Sequence, residues 1–318
     1  MNKILDKVIN GYDINNEDIK ILIDTDYTIL AKAANEIRLH FNKNNFDMCS
    51  IINGKSGKCS ENCKFCAQSS HFETLVEEYD LLDSSTIIER AMYNRKKGIK
   101  RFSIVTSGRK LDDLDVDKIC STISYLSSNT DIKICGSFGL LNYENYKKLK
   151  NAGLIRIHNN LETSRKHFAS ICTTHTYDDK LQAIEEAMKA GLEVCSGGII
   201  GLGESLEDRI NMALAIKKLG IKSVPINILS PIPNTPFENN KILAESEIIQ
   251  TIALFRFILP DAHIRLAGGR GQLSDYGKAL FESGANAAIT GDMLTTKGIT
   301  IDGDKNLVKS LGYEVTYE

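Results

Sequence analysis

Short apolar segments typical of strands alternate along this sequence with longer segments of helical periodicity, and no other feature restricts the fold as strongly. We predict strands at 47–53, 101–106, 132–137, 154–161, 192–200, 223–229, 263–267 and 287–290. Helical patterns separate them at 85–97, 116–126, 143–151, 178–190, 206–219, 245–259 and 274–283. Strands that alternate with helices predict a parallel sheet, and eight such strands can close a (β/α)8 TIM-type barrel. Because the eighth segment is weak, a six-stranded open barrel is the alternative.

The first 45 residues carry a different pattern. Two amphipathic helices are predicted there, with breaks near residues 11–16 and 24–27. No segment has the composition of a linker. We therefore expect an N-terminal helical extension over residues 1–45, followed by a single barrel domain over residues 46–318.

Charge and hydropathy exclude several classes of protein. The 318 residues include 39 basic and 41 acidic side chains, a formal net charge of −2, which gives no electrostatic reason to expect nucleic acid as a partner. No apolar stretch reaches about 18 residues, and the N-terminus has no apolar signal region, so neither a membrane span nor export is expected. We expect a cytoplasmic protein, and among its eight cysteines we expect metal or cluster ligands rather than disulfides.

Three cysteines follow the first predicted strand within eight residues. Cys59, Cys63 and Cys66 have the spacing C-x3-C-x2-C, at the end of the strand where such barrels place their active sites. Three thiolates on one loop can bind three irons of a [4Fe–4S] cluster and leave the fourth iron open to a small molecule. The alternative is a structural zinc site, which needs four protein ligands, and His71 is the nearest additional candidate.

The cysteine spacing, with the aromatic Phe65 before the third cysteine, resembles the signature of the radical S-adenosylmethionine superfamily. That resemblance implies that S-adenosylmethionine chelates the open iron and is cleaved by electron transfer to a 5′-deoxyadenosyl radical. A second segment, Gly197-x-Ile199-x-Gly201-x-x-Glu204, resembles the adenine-side motif of the superfamily. Taken alone, it is also compatible with a glycine-rich strand-to-helix turn.

Further motifs are similar to those of the biotin synthase family over about residues 45–300. They are SIINGKSG before the cluster cysteines, CAQS at their end, NNLETS at 159–164, VCSGGI at 194–199, SVPIN at 223–227 and IRL at 264–266. The resemblance implies a sulfurtransferase that converts dethiobiotin to biotin by radical sulfur insertion. It also implies flavodoxin or ferredoxin as reductant and a homodimer. The alternatives are a related radical enzyme, of the hydrogenase-cofactor maturase or methylornithine synthase type, or a non-catalytic iron–sulfur or zinc scaffold.

The same resemblance implies roles for individual residues. Asn160 and Glu162 would bind the ribose of S-adenosylmethionine, and Asn160 would also contact dethiobiotin. Asn227 would hydrogen-bond the ureido ring of dethiobiotin, while Phe65 and the glycine segment of residues 197–201 would contact the cofactor. His158 stands where many relatives carry asparagine, so its contact is left open. Taken alone, each asparagine is more often a polar group at the end of a strand.

The family also carries an auxiliary cluster in the barrel, with three cysteines and an arginine as ligands and a sulfide that enters the product. Cys135, Cys195 and Arg265 match three of these positions, but Ser103 stands at the fourth. A serine hydroxyl is a poor iron ligand beside a thiolate. Side chains alternate along the first strand, and Cys49 has the parity of a residue that faces the barrel interior. We therefore hypothesise that Cys49 replaces the missing thiolate. The cluster would then be either [2Fe–2S] or a larger four-iron type, as in variant biotin synthases of anaerobes.

Alternatives remain for these residues as well. Buried cysteines such as Cys135 are commonly small core residues, and Arg265 could be a buried ion-pair partner. Cys120 falls in a helical pattern and is predicted to be core. The sequence assigns no role to Cys172 or His175.

Overall fold

The computed structural model describes residues 1–294 and 298–317. Its strands are β1 Asn45–Lys55, β2 Arg101–Thr106, β3 Lys133–Ser137, β4 Arg156–His158, β5 Glu193–Cys195, β6 Gly198–Ile200, β7 Ser223–Ile228, β8 His263–Leu266, β9 Ala287–Thr290 and β10 Glu314–Thr316. Its helices are α1 Asn2–Ile9, α2 Asn16–Ile23, α3 Tyr27–Asn42, α4 Ser84–Lys96, α5 Asp113–Asn129, α6 Tyr143–Ala152, α7 Arg165–Ile171, α8 Tyr177–Lys189, α9 Leu206–Lys218, α10 Glu245–Ile258, α11 Lys278–Phe281 and α12 Ile301–Ser310.

The strands form a closed parallel barrel. Neighbouring strands pair in the order β1, β2, β3, β4, β5, β7, β8, β9, and β9 pairs with β1 to close the ring. The fifth barrel strand is divided into β5 and β6, and both segments pair with β7. The predicted eight-stranded barrel is confirmed, including its weak eighth strand, and the open six-stranded alternative is wrong.

The N-terminal segment contains three helices, so the prediction of two is wrong. A new helix begins after each predicted break, because a polar side chain caps the N-terminus of that helix. The Asn15 side chain accepts hydrogen bonds from the N–H groups of Glu17 and Asp18, and the Asp26 carboxylate accepts one from Thr28. Helix α3 then packs against α10 on the outside of the barrel. The division into an extension and a barrel domain stays a prediction.

Several other elements differ from the prediction. Strand β4 has three residues rather than the predicted eight, since its pairing with β3 and β5 involves only Arg156, Ile157 and His158. Four residues further on, Glu162 adopts a left-handed backbone with φ of 67°. Helix α7 follows at once, capped by the Ser164 side chain on the N–H of His167. Helix α12 and strand β10, which pairs with the start of β1, were not predicted. No helix within the described ranges is both long enough and apolar enough to cross a bilayer.

Candidate active site in the barrel interior

A cavity of about 310 Å³ occupies the barrel interior and opens at the carboxyl ends of the strands. Most of the predicted site residues line it: Cys49, Phe65, Cys66, Cys135, Asn160, Glu162, Cys195, Ile199, Asn227 and Arg265. Ser103 and His158 line it as well. Four predicted residues, Cys59, Cys63, Gly197 and Gly201, are outside this lining although the structure describes them. The loop cysteine Cys66 and the strand cysteines, which strand parity directs inward, therefore line one space.

The loop with the three cysteines has a defined backbone. The Cys59 N–H donates to the Gln68 carbonyl at 3.0 Å, and the Ser70 N–H donates back to the Cys59 carbonyl at 2.8 Å. The Cys66 N–H donates to the Cys63 carbonyl at 3.0 Å, which forms a tight turn between the last two cysteines. These bonds close the loop on itself, so its three thiols are held at the mouth of the barrel.

The donor set of this loop fits an iron–sulfur cluster. Cys59, Cys63 and Cys66 are half-buried, free thiols, and Cys66 faces the cavity. His71, the additional zinc ligand that the sequence suggests, is directed elsewhere, since its Nε2 lies 3.0 Å from the Ser60 carbonyl oxygen. Three sulfur ligands beside an open cavity are what a [4Fe–4S] cluster with a small-molecule ligand requires.

Asn160 and Glu162 lie side by side after β4. The Asn160 Oδ1 accepts a hydrogen bond from the Gly197 N–H at 3.0 Å, and its Nδ2 donates to Glu162 Oε2 at 3.2 Å. The amide therefore links the end of β4 to the fifth barrel strand and orients a carboxylate toward the cavity. An ionised carboxylate accepts hydrogen bonds at both oxygens, so this pair can bind a ligand with neighbouring hydroxyl groups.

Asn227, on β7, is a second amide side chain of the cavity wall. Its Oδ1 accepts from the Gly268 N–H at 2.9 Å, and its Nδ2 donates to the Gly198 carbonyl at 3.2 Å. Each end of the amide keeps capacity for one further hydrogen bond. Asn227 therefore links three strand ends while presenting both a donor and an acceptor to the cavity.

The glycine segment is explained mainly by strand packing. A Cβ on Gly197 would lie 1.8 Å from the Pro225 carbonyl oxygen, and one on Gly198 would lie 2.3 Å from the Glu162 carbonyl oxygen. We expected these glycines to admit a ligand, but at both positions it is a neighbouring backbone that approaches. Gly201 differs, because its φ of 99° requires glycine, and its N–H donates to Glu204 Oε1 at 2.8 Å.

Three buried thiols lie at the base of the cavity. Cys49, Cys135 and Cys195 come from β1, β3 and β5, and each is less than a tenth exposed. Burial raises the pKa of Cys49 to about 11. Burial opposes ionisation of Cys195 too, but a hydrogen bond from His158 and the charges of nearby arginines lower its pKa to about 7. Cys195 is therefore the thiol at the base that ionises most readily.

The base of the cavity is rich in positive charge. Arg101, Arg156 and Arg265 line it, and Asp47 pairs with all three at distances of 3.4, 3.9 and 2.7 Å respectively. Burial disfavours the charged form of Asp47, but the surrounding guanidinium groups outweigh that effect and lower its pKa. Three cations beside one carboxylate favour anionic ligands such as thiolates and a negatively charged cluster. The chemistry of this region therefore fits the auxiliary cluster.

Arg265 is bound tightly within this group. Its Nη1 donates to the Asp47 and Ala288 carbonyl oxygens, both at 3.1 Å, and to Cys49 Sγ at 3.4 Å. Its Nη2 donates to Asp47 Oδ2 at 2.7 Å. A protonated guanidinium has no lone pair for iron, and the Asp47 carboxylate favours the protonated form. Arg265 is thus placed as a hydrogen-bond donor to Cys49, and the predicted ligand role would require one guanidinium nitrogen to lose its proton.

Sequence reasoning missed Asp47, Arg101, Arg156 and the Ser223 hydroxyl, which donates to Cys195 Sγ at 3.2 Å. Strand parity could have found the first three. Asp47, Arg101 and Arg156 lie two residues before Cys49, Ser103 and His158 on their strands, so they share the inward face. Charged residues at inward positions of a barrel strand are unusual and mark a site.

Comparison with known protein families covers nearly the whole chain. Residues 55–216 match the family model described as Radical SAM superfamily, and residues 225–314 match the Biotin and Thiamin Synthesis associated domain. The chain is 55% identical over 315 residues to a biotin synthase of Brachyspira hyodysenteriae, an alignment that covers 99% of this chain and 95% of the relative. It is 56% identical over 309 residues to a biotin synthase of Clostridium botulinum, with 97% of each chain covered.

The chain belongs to the biotin synthase family. Among solved structures, it is similar to methylornithine synthase with a TM-score of 0.85 and 19% identity, over 99% of this chain and 97% of that one. At that identity the likeness concerns the fold alone. The biotin synthase family therefore provides the functional framework.

Proposed function

We propose that dethiobiotin is converted to biotin in the barrel cavity, with S-adenosylmethionine as the source of the radical. Membership in the biotin synthase family supports the reaction. One observation supports placing the reaction in this cavity. A single space of about 310 Å³ has a cluster-loop cysteine, Cys66, near its mouth and three buried thiols at its base. A substrate between the two ends would lie within reach of both.

In this proposal the loop cysteines 59, 63 and 66 hold a [4Fe–4S] cluster, and Cys49, Cys135 and Cys195 hold the auxiliary iron–sulfur cluster. When bound, the first supplies the electron that cleaves S-adenosylmethionine to the 5′-deoxyadenosyl radical, and the second supplies the sulfur atom of the product. The contribution of the chain is to position the substrate and to exclude water and other hydrogen donors. Ile51 lines the cavity between the loop cysteines and the buried thiols, and its apolar side chain helps to exclude water.

The polar residues of the cavity wall provide the orientation. Glu162 accepts from the ribose hydroxyls of S-adenosylmethionine, and Asn160 holds that carboxylate in place at 3.2 Å. The remaining donor and acceptor of Asn227 match the carbonyl and N–H groups of the ureido ring. A buried amide left without a partner costs about 1–3 kcal/mol, so this pairing selects for a cyclic urea over an apolar isostere.

The auxiliary site departs from the usual ligand set at Ser103, and Cys49 offers the replacement. Ile51, two residues after Cys49, pairs with Ser103 in the β1–β2 register, so Cys49 lies one step deeper on the adjacent strand. A thiol there can join Cys135 and Cys195 around a cluster of four irons, as in the variant biotin synthases of anaerobes. The smaller [2Fe–2S] cluster is the alternative.

The remaining partners are proposed from the family resemblance. Flavodoxin or ferredoxin would reduce the loop cluster, whose cysteines lie at the open end of the barrel. A homodimer in the cytoplasm is the proposed assembly and location, and the net charge of −2 is consistent with a role that needs no nucleic acid.

An anaerobic assay tests the proposal. Protein reconstituted with iron and sulfide receives S-adenosylmethionine, a reductant and dethiobiotin, and mass spectrometry quantifies 5′-deoxyadenosine and biotin. We expect both products. Deoxyadenosine without biotin, in protein that holds both clusters, would reject dethiobiotin as the substrate and keep the radical chemistry.

A further inference from the structure

Two residues without a role in the proposed reaction lie directly against the cluster loop. Cys172 Sγ is 3.6 Å from Cys63 Sγ, and His175 Nδ1 is 3.3 Å from Cys172 Sγ. The three ligand atoms lie within 4.8 Å of one another. Both Cys172 and His175 are buried, so this contact belongs to the interior of the protein.

These separations match the ligands of a single metal ion. With metal–sulfur bonds of about 2.3 Å and metal–nitrogen bonds of about 2.0 Å, a tetrahedral ion places two sulfurs about 3.8 Å apart and sulfur and nitrogen about 3.5 Å apart. The buried Glu61 positions the imidazole, since its Oε2 lies within hydrogen-bond distance of His175 Nδ1, at 2.5 Å. Two sulfurs and an imidazole nitrogen, with a solvent molecule in the fourth position, form a donor set that Zn²⁺ and Fe²⁺ both accept.

The group is held in place by the backbone around it. Cys172 is the C-cap of α7, and His175 directly precedes Thr176, the N-cap of α8. Asn62, in the cluster loop, accepts hydrogen bonds through its Oδ1 from the N–H groups of Thr173 at 2.9 Å and Thr174 at 3.2 Å. The loop carrying Cys63 and the loop carrying Cys172 are thus tied together without a metal, which reduces the entropic cost of binding one.

We propose that the cluster-free protein binds one divalent transition-metal ion, Fe²⁺ or Zn²⁺, through Cys63, Cys172 and His175, with Glu61 holding the imidazole in place. Binding releases the protons of the two thiols to solvent and changes no oxidation state. The inference rests on the proposed function through Cys63, which cannot serve this ion and the [4Fe–4S] cluster at once. The single ion and the cluster are therefore mutually exclusive, and a bound Zn²⁺ slows cluster assembly.

Cobalt is the probe for the site. Cluster-free, reduced full-length protein is titrated anaerobically with Co²⁺, whose thiolate charge-transfer and tetrahedral d–d absorption bands report sulfur ligation. We expect Cys172→Ala to weaken the one-equivalent site by roughly tenfold or more, as loss of a ligand does, and Cys120→Ala to match the wild type. His175→Ala is the second variant, so that a folding defect in one does not decide the result. Equal Co²⁺ affinity and spectra in all four proteins would overturn the site.

A second measurement separates this inference from the proposed function. Wild-type and Cys172→Ala proteins are preloaded with one equivalent of Zn²⁺ and then reconstituted with iron and sulfide, and the rate of cluster formation is followed by absorbance. We expect Zn²⁺ to slow the wild type several-fold more than the variant, and equal slowing would overturn the exclusivity. Reconstituted Cys172→Ala keeps all three cluster cysteines. A change in its electron paramagnetic spectrum with S-adenosylmethionine, together with biotin formation, therefore tests the proposed function separately.

Discussion

The carboxylate of Asp47 lies 2.7 Å from the Nη2 of Arg265, and both side chains are almost completely buried at the base of the barrel. Removal of one partner of a buried pair leaves an uncompensated charge, which costs about 3–5 kcal/mol. We expect Asp47→Ala to lower the free energy of unfolding by that amount in urea denaturation. Asp302→Ala is the control, since its pair with Lys97 at 2.8 Å is exposed and contributes little to stability. Equal losses in the two variants would contradict the buried pair.

The same contact determines what Arg265 does beside the auxiliary cluster. As long as Asp47 keeps the guanidinium protonated, its nitrogens donate hydrogen bonds and do not bind iron. Pulsed electron paramagnetic resonance of reduced holoenzyme labelled with ¹⁵N-arginine should therefore show no directly coordinated ¹⁵N. A strong coupling that disappears in Arg265→Lys would establish Arg265 as a ligand instead.

The barrel could be predicted from the sequence because each of its strands is an apolar segment bounded by turn residues or followed by a helix. Strand β9, weak as a pattern, is completed by pairing with both β8 and β1. The short β4 could not be predicted, because its bounds depend on which residues pair with β3 and β5, and no local sequence pattern indicates that pairing. The N-terminal helices were miscounted although the Asn15 and Asp26 caps are readable in the sequence.

Two parts of the site could be predicted. The spacing of the cysteines in the cluster loop indicates their chemistry, and the alternation of side chains along β1 indicates that Cys49 faces the barrel interior. The contact of Cys172 with Cys63 could not be predicted. It depends on how two loops, 109 residues apart in the chain, dock through Asn62. Such contacts follow from tertiary packing and leave no periodic signal.

The hypothesis that Cys49 replaces a ligand at Ser103 gives a prediction on iron content. Cys49→Ala should lose the auxiliary iron and keep the iron of the loop cluster, because only the loop retains three thiols. Iron and sulfide analysis with Mössbauer spectroscopy measures both, and Cys120→Ala is the control. The double variant Cys49→Ala/Ser103→Cys should regain an auxiliary cluster. Unchanged iron in the single variant would remove Cys49 from the ligand set.

Gly197 gives a prediction about stability. A methyl group there would lie 1.8 Å from the Pro225 carbonyl oxygen, so the two strands must separate. We expect Gly197→Ala to lower the thermal midpoint more than any single surface change or to prevent folding. Gly203→Ala is the matched control. Its Cβ meets nothing within 4 Å, and only the backbone strain at φ of 88° remains, worth about 1 kcal/mol. Similar midpoints for the two variants would show that the strands can adjust.

Asp208 gives a prediction on pH. Burial opposes its ionisation, but hydrogen bonds from Ser164 Oγ at 2.6 Å and Ser205 Oγ at 2.7 Å outweigh burial and lower its pKa to about 2. Since the pKa is lower in the folded protein than the ordinary value of 3.8, Asp208 stabilises the fold above about pH 4, and this stabilisation is lost as pH falls toward 2.

Asp208→Asn removes this stabilisation, which is about 2 kcal/mol at neutral pH by the size of the shift. The difference in free energy of unfolding between wild type and Asp208→Asn should therefore shrink as the pH is lowered from about 6 to about 3. Urea denaturation of both proteins across that range measures it, and Asp24→Asn, at an exposed position, controls for general acid effects. A difference that stays constant with pH would mean that the hydrogen bonds to Asp208 do not depend on its charge.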